Sequence, residues 1–482
     1  MLRFGGRNPL LETTFDADGT APPRSRSLTD LRFAEPGSFR GSMTSLAGDG
    51  GRARGPSFTA DMLGSMLRSG APSAVSRSPL PAMLPALIEL NDNEDYFFRC
   101  VITECQPGSM QFKLSPAFAL YMAARYRISR QFQPQTPFER RVQMFRFFIG
   151  QIIDNIGRTV ASHQNNAEYL TFWLSNSSEF LYILRGDTEI QNILSSTGHL
   201  ERMQETVEHC YYYLACLIQK SIEQVMGVMT NADMPDKQST DEVINVLEAT
   251  MTLFRANRLN AGLTIQLFSH SFYYINQYLF NWMVATPDGR SHLSRAWGVR
   301  LRDRLQFVHL WAEKQGLELA AECHMDRIQQ AANLLITPKT IDQIASLGAT
   351  CYKLNSVQVR WLLTHYVSDV CEPEISVNLI DNVVRLAEGQ ADEVARQDAQ
   401  SVELEEAKTL DMQFMFPPDG YSIEMVRDLP PGMNEFFHYC QMQGGYFFKF
   451  VFLSPETAEA SIGRDFIAKA KGTIIQVAIA FS

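Results

Sequence analysis

From Leu259 to Val284 the chain runs 26 residues without an Asp, Glu, Lys or Arg, in a sequence that is otherwise 20% charged. Leu263, Leu267, Phe268, Ile275, Tyr278, Leu279 and Trp282 recur at helical spacing, and further aromatics occupy the other sides. A helix apolar over most of its circumference must be wrapped by other helices. A membrane span needs roughly 20 apolar residues. Here, however, Asn260, Gln266, His270, Asn276, Gln277 and Asn281 are spread through the interior, each costly in lipid without a partner. The stretch therefore predicts a central packing helix, and no transmembrane segment is expected.

Around that helix the composition divides the chain into three. Residues 1–79 read as a disordered arm rich in Gly, Ser, Pro and Arg, with no sustained period. The first eighty residues hold ten Arg against seven acidic residues, whereas the whole chain carries a net charge of −10. A basic arm on an acidic body argues against a body built to hold nucleic acid. Residues 80–400 read as a helical module, most typical over about 165–395, and residues 401–482 as an acidic linker and irregular tail. Eight cysteines without a C-x-x-C pair sit mostly in apolar stretches, as small core residues of a reducing compartment. The N-terminus lacks the apolar core of a secretory signal, which predicts a cytoplasmic chain.

Within the module, helix follows helix. Ser115-Pro116 predicts a helix start, and Thr136 with Glu139 predicts a capping box ahead of FERRVQMFRFFIGQIIDNIG. A stripe of Leu170, Trp173, Leu174, Leu181 and Leu184 ends near Gly186. From Leu200 to Met229, Met203, Val207, Leu214, Ile218, Ile222 and Val225 face one way, which fits either a bundle helix or a coiled-coil strand. Ser239 and Glu242 predict a second capping box. Farther on, Leu301, Leu305, Val308 and Trp311 define an inner face that leaves Arg302 and Arg304 outward. Amphipathic helices follow over Leu317–Leu335, Cys351–Tyr366 and Val377–Gln397, and the C-terminal stretch holds two apolar runs of strand length. The expected fold is all-α.

No phosphate loop, nucleophile elbow or H-E-x-x-H helix is present. His209-Cys210 and Cys323-His324 are adjacent pairs, and neighbours on a helix point about 100° apart, too divergent to share one metal. Glu313, Lys314, Glu318 and Glu322 read as a solvated face. No catalytic, cofactor-binding or metal-binding residue is expected, and no cofactor. A large helical body of this kind works by offering grooves to partner helices or extended peptides.

Several long runs carry a resemblance. NRLNAGLTIQLFSHSFYYINQYLFN (Asn257–Asn281), WAEKQGLELAAECHMDRIQQA (Trp311–Ala331), CYKLNSVQVRWLL (Cys351–Leu363) and DGYSIEMVRDLPPGMNEF (Asp419–Phe436) resemble the dilute-domain region of the afadin/Canoe family. The resemblance spans roughly Leu80 to Phe437. More distantly, Leu354-Asn355-Ser356-Val357-Gln358 is similar to the LN-x-x-Q pattern of dilute-type myosin cargo-binding tails. The resemblance implies an elongated stack of helical bundles. It also implies a non-enzymatic scaffold of adherens junctions that joins adhesion complexes to actin by docking junctional or cytoskeletal proteins. The family's Ras-association, forkhead-associated and PDZ domains have no counterpart in this sequence, so GTPase, nectin and direct actin binding are not expected of it. The 401–482 tail reads as a shortened link toward a PDZ domain. A motor-cargo or vesicle-trafficking adaptor is the alternative, and an unrecognised enzyme the third reading.

Overall fold

The structure, a computed structural model, describes residues 86–90, 93–110, 112–285, 293–369, 372–391, 395, 401–404, 414–418, 420 and 448–452. The 1–79 arm lies outside the described residues, as do most of the expected linker and tail, Cys371 and Cys440.

The described body is built from helices. A first group comprises α1 (Glu94–Phe98), α2 (Ser115–Ile128), α3 (Phe138–Ser162), α4 (Ala167–Gly186), α5 (Thr188–Leu194) and α6 (His199–Met229). YFFRCVITE, which fits strand or helix by sequence, is α1 followed by a π-helical turn, Arg99–Thr103. A second group comprises α7 (Asp236–Ala256), α8 (Ala261–Ala285), α9 (Arg295–Gln315) and α10 (Glu318–Ile336). A third comprises α11 (Ile344–Ala349), α12 (Ser356–Thr364) and α13 (Val377–Gln390). The only strand pairing among the described residues is antiparallel, between β1 (Ala86–Leu90) and β2 (Phe448–Phe452). One of the two apolar C-terminal runs thus returns to the start of the body.

The uncharged stretch is α8, and it is wrapped as its composition requires. Leu263, Leu267, Phe268, Phe272, Ile275, Leu279 and Phe280 are buried, and α8 packs against α6 and α10. α6 spans both helical groups, contacting α3 and α4 on one side and α7 and α8 on the other. Its stripe of Met203, Val207, Leu214, Ile218 and Ile222 is buried within this one chain, so α6 is a bundle helix. α2 is buried on every side, and two arginines go inside with it, each with a carboxylate partner. Arg125 reaches Glu189 at 2.8 Å and Asp187 at 3.5 Å, and Arg127 pairs with Glu94.

Four local expectations are corrected. Arg304 is not outward but fully buried. Its guanidinium pairs with Asp236 at 2.9 Å and donates to the carbonyls of Met229, at the end of α6, and of Asn231 and Met234, in the loop that leads to α7. Ser115 and Pro116 do open α2, but Ser115 does not cap it; its hydroxyl donates to the Phe112 carbonyl, and Asn176 of α4 accepts the Ala117 N–H at 3.1 Å in its place. Thr136 spends its hydroxyl on Gln133, so α3 starts at Phe138 with Pro137 in the cap position and no side-chain cap. Ser239 lies inside α7, donating to the Asp236 carbonyl, because the helix begins a turn earlier than Ser239.

Candidate functional site

The polar residues of α8 identify the site, because a carboxamide on a packed helix must find donors and acceptors. Asn276 turns inward, and its Oδ1 accepts the Ile328 N–H of α10 at 2.8 Å. Gln266 and Asn281 instead face the C-terminal part of the chain. Gln266 Nε2 donates to the Met415 carbonyl at 2.8 Å while its Oε1 accepts the Met415 N–H at 2.9 Å. Asn281 repeats the pattern on Leu404, with both bonds at 2.8 Å. A residue shows its N–H and C=O to the same side when its backbone is extended, as in a sheet ladder. Each carboxamide therefore replaces a neighbouring strand. The two clamps stand 15 residues apart on α8, about 22 Å at the helical rise. Leu404 and Met415, the two residues they hold, follow one another in the opposite direction to the helix.

α12 contributes a second pair. Asn355 and Gln358 form a reciprocal capping box: Asn355 Oδ1 accepts the Gln358 N–H at 2.7 Å, and Gln358 Oε1 accepts the Asn355 N–H at 3.1 Å. Their oxygens are thereby committed to the helix start, and their NH₂ groups are turned to the same C-terminal segment. Asn355 donates to the Ser401 carbonyl at 3.0 Å and Gln358 to the Val402 carbonyl at 3.2 Å. Asn355 and Gln358 are both about 1% exposed, so neither amide has water to fall back on.

Side chains of the held segment occupy seats between the helices. Leu404 is buried. Phe414 meets the Tyr211 ring of α6 edge-on at 5.0 Å, and Phe416 lies under the Arg185 guanidinium of α4 at 4.8 Å. Pro417 is buried against Gly262, where an added Cβ would stand 3.7 Å from the proline ring and 3.2 Å from Asn260 Oδ1. Met415, between the two aromatics, is turned outward and 39% exposed. At Gly420 a Cβ would overlap the Tyr182 ring, so the chain passes there only without a side chain.

Beneath the aromatic seat lies His270, 5.8 Å from the Tyr211 ring. Burial, with a smaller contribution from His324, pushes its imidazole down to about 4, and its Nε2 has no hydrogen-bond partner. His324 is likewise pushed down to about 4, by burial first and Lys353 second. Cys100, Cys105, Cys210 and Cys351 are buried free thiols, Cys105 pushed up to about 12 and Cys351 to about 11 by burial. Among the described residues no group of three His, Cys, Asp or Glu is placed to hold a metal, and no helix is long and apolar enough to cross a membrane.

All four carboxamides fall within residues 266–370, the stretch that matches the family model described as the DIL domain. The chain carries a DIL domain. The dilute part of the resemblance is thereby borne out. Human unconventional myosin-Vc is 22% identical to this DIL-domain chain over 353 residues, covering 65% of it. The human Ras-associating and dilute domain-containing protein is 22% identical over 361 residues, covering 63%. The chain spans only 19% and 33% of the lengths of these two relatives. Among solved structures, Myo2-GTD in complex with Mmr1 superposes with a TM-score of 0.52 at 16% identity, covering 73% of this chain and 96% of that one. The all-α, cargo-binding-tail-like fold is therefore established. Sequence reasoning singled out Gln266, Asn281, Asn355 and Gln358, the first two as polar residues in need of partners and the last two as a family pattern. It did not join them into one site.

Proposed function

We propose that this chain is a non-enzymatic adaptor whose DIL module binds other proteins by docking their segments on its helices, in a motor-cargo or vesicle-trafficking setting. The observation that carries the reading is the row of carboxamides on α8 and α12 that grips backbone rather than side chains. Support for the setting comes from the unconventional myosins among its relatives and from the fold neighbour, which was solved with a second protein bound. The module is taken to start near residue 80 and to include the held segment beyond residue 400. The cytoplasm is its proposed location.

A second reading keeps the afadin-type scaffold, at the cytoplasmic face of adherens junctions and linked to actin. The long runs quoted above favour it, together with a relative whose name pairs a dilute domain with a Ras-associating one. Proximity labelling with the full chain in polarised epithelial cells separates the two. Enrichment of motors, Rab-type GTPases and vesicle proteins is the expected result. Enrichment of catenins and actin-linked adaptors instead would put the junctional reading first. A labelled set no different from that of a free labelling enzyme would overturn the adaptor reading in both forms.

A further inference from the structure

The segment on α8 behaves as a ligand supplied by the chain itself, and the way it is held defines what else would fit. Its backbone at Met415 is read by Gln266 alone, and the Met415 side chain is turned to solvent, so that position accepts any residue. The flanking positions are selective. Phe414 needs a flat ring to meet Tyr211 edge-on, Phe416 needs an aromatic face under Arg185, and Pro417 is buried beside Gly262 at the start of α8. The proline carries no N–H that would go unpaired in this apolar seat.

We propose that the seat formed by Arg185, Tyr211, Gly262 and Gln266 is a recognition site for an extended aromatic-X-aromatic-Pro segment of a partner protein, with Phe414–Pro417 as its resident competitor. This rests on the docking reading above and adds to it the partner's chemistry and the regulation of access. The occupant is fixed by the observed one: a site shaped to two rings, a free central position and a proline has its ligand class written into it. Competition follows from tethering. A segment attached to its own receptor acts at roughly millimolar effective concentration, so a partner peptide binds the intact chain weakly and gains when the resident segment is weakened.

The test uses the full chain and a fluorescein-labelled synthetic peptide of residues 411–420, DMQFMFPPDG, read by fluorescence anisotropy. Three proteins are compared: the natural chain, Phe414→Ala/Phe416→Ala, and that double variant with Gln266→Ala added. Circular dichroism and a thermal melt check that each is folded, and Arg185→Ala in place of Gln266→Ala keeps the test open if the triple variant is not. The double variant is expected to bind the peptide at least tenfold more tightly than the natural chain. That binding is expected to fall at least tenfold when the peptide's two Phe are changed to Ala, or when Gln266 or Arg185 is removed. Equal binding of the natural and Ala-substituted peptides, or none by the folded double variant, would overturn the proposal. A natural chain that elutes as a dimer and is split by the peptide would assign the seat to a second copy and overturn it too. Partner capture that persists without peptide binding would sink the motif and leave the adaptor reading standing.

Discussion

Arg304 shows how much a single buried charge can organise. Its guanidinium closes the end of α6 onto the start of α7 through three carbonyls and Asp236. Removing it would leave three carbonyls without their donor, each buried unpaired polar group costing about 1–3 kcal/mol, while Asp236, 30% exposed, can turn to water. Arg304→Ala is therefore expected to lower the thermal midpoint by many degrees, whereas Arg302→Ala, on an exposed side chain, should leave it nearly unchanged. Sequence periodicity placed both arginines outside. The sequence signals where a helix ends far better than it signals which distant cation comes to the end. The buried histidines make a second prediction at this scale. His270 and His324 titrate near 4 in the folded chain against about 6.5 when unfolded, so between those values the unfolded chain binds more protons. Stability is thus full above about pH 6.5 and is lost as pH falls toward 4, by a few kcal/mol for the pair. Urea denaturation at pH 7.5, 6 and 5 should show the decline, and His270→Gln should flatten it.

Among the elements, α8 was the most legible, because an uncharged run of its length, set with carboxamides that need partners, has to be packed among other helices. Leu267 is 1% exposed. Leu267→Asp should abolish the helical fold, and a soluble variant with a natural circular dichroism spectrum would contradict the placement of α8. The crossing of α9 and α10 was less legible. At Gly298 an added Cβ would stand 2.8 Å from Leu335 Cβ and 3.1 Å from the Ala332 carbonyl. Gly298→Ala removes a flexible residue from a helix, which ordinarily favours folding. Here overpacking wins, and a net loss of about 1–3 kcal/mol is expected by chemical denaturation. Caps were read poorly for a related reason. Thr136 and Ser239 stand in capping-box patterns, yet their hydroxyls donate elsewhere, while the box that forms, Asn355 with Gln358, is also held in place by the segment it grips. A four-residue pattern proposes a cap, and the surrounding chain decides it.

At the scale of the whole molecule, sequence periodicity ordered the helices correctly and missed the return of the chain. Asn281 and Gln266 lie 123 and 149 residues from the backbone they hold. Hydrogen bonds to main-chain groups leave no trace in the identity of the residue bound, so Leu404 and Met415 carried no signal. Only the donor side, a polar residue on an apolar helix, was visible. The grip itself has a further consequence. Neutral amides bind neutral backbone along a helix that carries no formal charge from end to end, in a chain whose net charge is −10. The carboxamide grip itself adds no long-range pull, so replacing Gln266 should act on the dissociation rate and leave association nearly unchanged. Dissolved salt, which weakens contacts between opposite charges, should leave the contribution of the four carboxamides almost untouched. The backbone grip on α8 would persist as ionic strength changes around it, and loosening it calls for a competing segment.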